Sequence, residues 1–114
     1  MLGDGTAGFY LAELETMARE QVPAIIIIGN DSCWNAEHQI QLAEYGESRT
    51  HSCTLPAQLR YDLVAQGLGL AGELVVTENQ LEREFELAVQ RALQTRQGTL
   101  LNVIMQSVKA PQYS

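Results

Sequence analysis

Long apolar runs are missing from this chain. The longest tight one, Ala24 to Ile28, has the length of a strand. A membrane-spanning helix needs roughly 18 or more apolar residues, so no membrane span is expected. Basic residues are scarce as well: 7 Lys and Arg stand against 14 Asp and Glu, a net charge of −7. That balance disfavours a surface for nucleic acid or for anionic lipid. An anionic ligand would need a helix N-terminus, backbone N–H groups or a bridging cation. Cysteine is limited to Cys33 and Cys53, far apart in sequence, and histidine to His38 and His51. There is no C-x-x-C pair and no His at ligand spacing from a cysteine, so a zinc site is not expected. A structural disulfide is not expected either. Met1-Leu2 runs straight into Gly3-Asp4-Gly5 without the basic and apolar regions of a signal peptide. The expectation is a cytosolic protein.

What is present fits one domain with a modest core: 114 residues, of which 46% are hydrophobic. Residues 8–21 read as a helix, with Tyr10, Leu14, Met17 and Leu11, Ala18 recurring at three- and four-residue steps. Pro23 ends it. Ala24 to Ile28 is continuously apolar and mostly β-branched, which suits a parallel strand covered on both faces. Gly29 to Ser32 is a turn, and a short helix is expected over 34–44. A second helix is expected over 57–67, with Leu59, Leu63 and Ala57, Tyr61, Val64 on adjoining apolar stripes, and a short strand at Leu74-Val75-Val76. Thr77, with Gln80 three positions on, caps a further helix striped by Leu81, Phe85, Ala88, Val89 and Ala92 and closed by Gly98. Leu100 to Met105 is a last strand, and residues 106–114 read as a loose tail. Helices alternating with strands predict a three-layer α/β/α fold with a mainly parallel sheet.

Gly3-Asp4-Gly5-Thr6-Ala7-Gly8 fits G-x-G-x-x-G and leads into a helix. Two owners suit it. In a dinucleotide-binding turn, glycines let pyrophosphate approach bare backbone, and Asp31 would be the acid expected downstream. A carboxylate at Asp4 would repel that pyrophosphate unless a cation intervened. The other owner uses Asp4. Mg²⁺ between a protein and a diphosphate takes about six oxygens in octahedral geometry. Asp4 and Asp31 end two would-be neighbouring parallel strands, so both carboxylates could face one cation beside the helix start.

Gly3-Asp4-Gly5, a helix and a strand, then Gly29-Asn30-Asp31 and Trp34 resemble the motif of thiamine-diphosphate-dependent enzymes, in particular the acetolactate-synthase-like and 2-hydroxyacyl-CoA-lyase-like members. Gly67-Leu68-Gly69, the Thr77-capped helix and the strand Leu100 to Met105 follow in the expected order. The resemblance covers residues 1–105 and implies the C-terminal part of a diphosphate-binding domain, N-terminally truncated. It implies thiamine diphosphate and Mg²⁺ as cofactors. Asp4 and Asp31 would bind the metal by their side chains and Cys33 by its backbone carbonyl. Gly3, Gly5, Thr6 and Ala7 would form the diphosphate turn, with Gly5, Thr6 and Ala7 facing it through backbone N–H groups and the Thr6 hydroxyl. Asn30 would hold the turn or touch a phosphate. Because the usual N-N pair is N-D here, Asn30 and Asp31 can exchange roles.

In the resembled family a second domain, usually from another subunit, holds the pyrimidine ring and supplies the activating glutamate. The resemblance therefore implies a homo-oligomer or a separate pyrimidine-binding subunit, and no catalytic residue on this chain. The parent reaction would be that of a carboligase, decarboxylase or lyase acting on 2-oxo acids or 2-hydroxyacyl compounds. Beside it stand a truncated NAD-binding domain and a folded, self-associating relic without cofactor. Cys33 has no His placed to activate it. Trp34 either packs on the core or faces the cofactor, and Glu13, Glu15 and Glu20 read as a solvated helix face.

Overall fold

The computed structural model describes residues 1–108. Four strands, β1 (Leu2–Gly3), β2 (Ile25–Asn30), β3 (Ala71–Val75) and β4 (Thr99–Ile104), form one sheet in the order β1-β2-β4-β3, parallel at every pairing. The α/β class and parallel sheet expected from the sequence are present. Leu2 pairs with Ile28 and Gly3 with Gly29, so a strand does lead into the glycine turn.

The register sorts the sheet into two faces. Ile26, Ile28, Leu100 and Asn102 point one way, toward α1 (Asp4–Ala7), α2 (Glu13–Arg19) and α4 (Tyr61–Gly67). On this side Ala7, Leu14, Ile28, Tyr61, Ala65, Leu70 and Leu100 form the main core. The odd-numbered positions of β4 face α5 (Glu78–Thr95), where Arg91 donates to Thr99 Oγ1 at 2.9 Å. With both faces covered, the continuous apolar sequences of β2 and β4 are explained. The remaining helix, α3 (Asn35–Tyr45), has no fully buried residue. A single 3₁₀ turn follows it at Glu47–Arg49.

Several local expectations are corrected. The helix expected over 8–21 is divided. Residues between α1 and α2 are held by three-residue bonds, such as Tyr10 N–H to Ala7 O at 3.1 Å and Glu13 N–H to Tyr10 O at 3.0 Å. This tighter winding follows Gly8 and leaves Tyr10 exposed rather than in the core stripe. The helix expected from residue 57 begins at Tyr61. Its buried side is Tyr61, Asp62 and Ala65, while Leu63 and Val64, placed on the apolar stripes, are exposed. The third strand lies at Ala71–Val75 rather than 74–76. Thr77 caps α5 as expected, accepting from Gln80 N–H at 3.2 Å. Its left-handed end is Arg96 (φ 56°), not Gly98. Residues 106–108 have no regular structure, and the rest of the expected tail, 109–114, lies outside the described residues.

Gly72 marks the tightest helix–sheet approach: a Cβ there would sit 2.1 Å from the Asp62 carbonyl oxygen. Backbone cannot yield as a side-chain end can. Gly72→Ala should therefore push α4 off the sheet and cost about 3 kcal/mol, read as a lowered urea midpoint with an unchanged slope.

Candidate functional site

The strand order brings the ends of β1 and β2 together, and the turns leaving them share one open cavity of about 470 Å³. Gly3, Asp4, Gly5 and Thr6 line it from the first turn, and Asp31 and Cys33 from the second. The two carboxylates expected to meet at adjacent strand ends thus line the same cavity. Ala7 and Asn30 do not line it. The Ala7 methyl is in the core, so only its backbone is left to serve a ligand.

Asp4 is 2% exposed. Its Oδ1 accepts the Gly5 N–H at 2.9 Å, while Oδ2 is the one buried side-chain nitrogen or oxygen without a hydrogen-bond partner among the described residues. Burial pushes the Asp4 carboxyl above the ordinary carboxylate range. The Asp31 charge adds to the rise, and the N–H groups of Gly5, Ser32 and Cys33 oppose it. An unpaired carboxylate oxygen in an acidic cleft is what a hard cation would satisfy. The donor set is hard oxygen: two carboxylates and backbone carbonyls. Among the described residues no three His, Cys, Asp or Glu side chains cluster for a metal, so an ion here would need further ligands from the backbone or from a bound molecule. The Cys33 thiol is pushed up by its burial and by the Asp31 charge, and stays protonated. That leaves its carbonyl as the group it could offer a metal.

Asn30 is turned inward. Its amide donates to Leu59 O and to Asn102 Oδ1, each at 3.0 Å, and its Oδ1 accepts the Ser32 N–H at 3.2 Å. In this structure its side chain holds the turn and lines no part of the cavity. Ser32 is left-handed (φ 58°). The segment at 53–58 straps the turn from outside: Trp34 N–H donates to Cys53 O at 2.7 Å, Leu55 N–H to Ser32 O at 2.9 Å, and Gln58 N–H to Ser32 Oγ at 3.1 Å.

Two features escaped the sequence reading, in which Trp34 is open between the core and a cofactor-facing place. Trp34 lines the cavity and lies over Gly5, where a Cβ would approach its ring to 2.9 Å, with Phe9 edge-on to it at 5.2 Å. Gly5 is thus required by the indole. Met105 and Glu37 also line the cavity. Beneath the turn, Asn102 donates to Leu59 O at 2.8 Å and to Asp62 Oδ1 at 3.1 Å, and Arg60 grips Asp62 Oδ2 at 2.6 Å. Burial raises the Asp62 carboxyl, but its hydrogen bonds from Arg60 and Asn102 outweigh that and hold it below the ordinary range. The lone Asn in the apolar run Leu100 to Ile104 was the available signal for this network.

Residues 1–103 match the sequence model of the family described as thiamine pyrophosphate enzyme, C-terminal TPP binding domain. The chain is 49% identical over 70 residues to 2-hydroxyacyl-CoA lyase 2 of Xenopus laevis, covering 61% of this chain and 10% of the relative. It is 34% identical over 102 residues to the acetolactate synthase large subunit of Mycobacterium tuberculosis, covering 90% of this chain and 18% of the relative. A solved thiamine diphosphate-dependent 4-hydroxybenzoylformate decarboxylase of Rhodococcus jostii superposes with a TM-score of 0.82 at 25% identity, over 96% of this chain and 20% of that one. The chain thus spans between 10% and 18% of the length of these two curated relatives. These matches displace the dinucleotide-binding reading of the same glycines.

The raised Asp4 carboxyl predicts the sign of a pH effect. A raised folded-state value favours the fold below the ordinary Asp range, and that contribution is lost as pH rises through the folded value. Without metal, Asp4→Asn should therefore raise the thermal midpoint at pH 7 more than at pH 4. Equal shifts at both pH values would show that Asp4 carries no such strain.

Proposed function

The chain belongs to the thiamine pyrophosphate enzymes, as their C-terminal TPP-binding domain, and from that premise we propose that it grips thiamine diphosphate through Mg²⁺ held by Asp4, Asp31 and the Cys33 carbonyl. The observation that carries this reading is the buried, unpartnered Oδ2 of Asp4 beside a second carboxylate in one cavity. Two carboxylates would roughly neutralise a dication, which could then attract an anionic cofactor. A chain of net charge −7 can hold a strongly anionic group in this way.

Gly3 and Gly5 shape the turn, and the N–H groups of Gly5, Thr6 and Ala7 with the Thr6 hydroxyl serve the diphosphate. Asn30 orients the metal turn without touching the ligand. When bound, the cofactor supplies the carbanion-stabilising chemistry. The part of this chain is to fix the cofactor's charged end. No side chain here is assigned a proton transfer, and the isolated chain is proposed to be catalytically incomplete. The pyrimidine end falls to a homo-oligomeric copy or a separate subunit. The relatives' names support a 2-oxo acid or 2-hydroxyacyl compound as the substrate class of the assembled enzyme. No described helix is long and apolar enough to cross a membrane, and free Cys33 and Cys53 suit the reducing cytoplasm.

Calorimetric titration tests the reading. Thiamine diphosphate should give heat only with Mg²⁺, and Asp4→Ala or a chelator should weaken that binding about a hundredfold or more. Metal-independent binding, or a folded chain silent toward the cofactor with Mg²⁺ present, would sink it.

A further inference from the structure

We propose that Asn102, backed by Asp62, is a positioning residue for the metal turn, carrying the placement of α4 through the sheet to Asp31 and Cys33. The inference rests on the reading of Asp31 and Cys33 as metal ligands. Asn102 is wholly buried in the middle of β4. An amide at that depth is unfavourable unless its polar atoms are paired, and here they are. Its Oδ1 accepts from Asn30 at 3.0 Å, and its Nδ2 donates to Leu59 O at 2.8 Å and Asp62 Oδ1 at 3.1 Å. Arg60 secures the far side of Asp62 at 2.6 Å.

Asn30 is the link outward. Its Nδ2 shares the Leu59 carbonyl with Asn102, and its Oδ1 accepts the Ser32 N–H at 3.2 Å. Ser32 takes a left-handed backbone (φ 58°) that a residue with a Cβ adopts at a cost. Asp31 and Cys33 flank it directly, so fixing the Ser32 backbone fixes the aim of the Asp31 side chain and the Cys33 carbonyl. Asn102 also orients the Asn30 amide, because pairing Oδ1 with Asn30 Nδ2 leaves Asn30 Oδ1 free to face the turn. A leucine at 102 would suit the apolar strand, but would leave the Asn30 amide able to rotate and the turn unlatched. Partners bonded directly to a ligand commonly change metal affinity about 10- to 100-fold, and Asn102, one relay further out, is expected at the low end.

The test is calorimetry of thiamine diphosphate at graded Mg²⁺ on the full chain, with Asn102→Leu and, as a stability control, Val75→Ala, buried on β3 and outside the cavity. Asn102→Leu should weaken the apparent Mg²⁺ affinity about tenfold, with binding recovered at high Mg²⁺. Val75→Ala should leave it unchanged despite lowered stability. Amide exchange at Ser32 and Cys33 without metal should quicken in Asn102→Leu alone. If Asn102→Leu does not fold, Arg60→Gln loosens Asp62 from its half-exposed end and should weaken Mg²⁺ by less than the about tenfold expected of Asn102→Leu. Wild-type Mg²⁺ affinity in whichever of these variants folds overturns the inference and leaves the site reading intact. No Mg²⁺-dependent heat in the wild-type chain overturns both.

Discussion

The carboxylate of Asp4 is held almost out of water, one oxygen bonded to the Gly5 N–H and the other to nothing among the described residues. A protein keeps such an arrangement at a cost, because an ionised group with one oxygen unpartnered is poorly solvated. The neighbouring Asp31 charge makes that cost larger. Two acids in one cleft, with one of their oxygens bare, form the arrangement that the proposed cation would relieve. The glycines, the left-handed Ser32 and the buried amides beneath it all serve that geometry.

The sheet explains how the two acids meet. Parallel pairing of Leu2 with Ile28 and Gly3 with Gly29 places both strand ends at one edge, so each chain leaves its strand into the same space. Ligands of open α/β sheets gather beyond such strand ends. The short α1 turns the chain back onto the core through Ala7, while Tyr61 donates from α4 to the Asp4 carbonyl at 3.4 Å. The first turn is therefore braced by the core and the second by the strap at 53–58. The family match and the superposition on a thiamine diphosphate-dependent decarboxylase place this frame among enzymes built around one cofactor.

Some of this was legible in the residues. Ile25 to Ile28 announced a covered strand, Thr77 with Gln80 announced a helix start, and Gly3-Asp4-Gly5 with Gly29-Asn30-Asp31 announced the two turns. Apolar periodicity failed where a polar contact decided burial. Asp62 lies inside because Asn102 and Arg60 satisfy it, and the exposed Leu63 and Val64 give up the stripe they resemble. Periodicity also could not show that the winding would tighten between α1 and α2.

The sequence by itself determined the class of fold, the family and the two acid-bearing turns, because those depend on local backbone preference and on the order of elements. Only the tertiary structure decided which atoms face the cleft. Whether Asn30 points out or in depends on Asn102, which lies 72 residues away in sequence and beside it in space. The same holds for Trp34 over Gly5. Contacts between segments so far apart leave no spacing to read, since they are fixed by strand order and register once the sheet has formed.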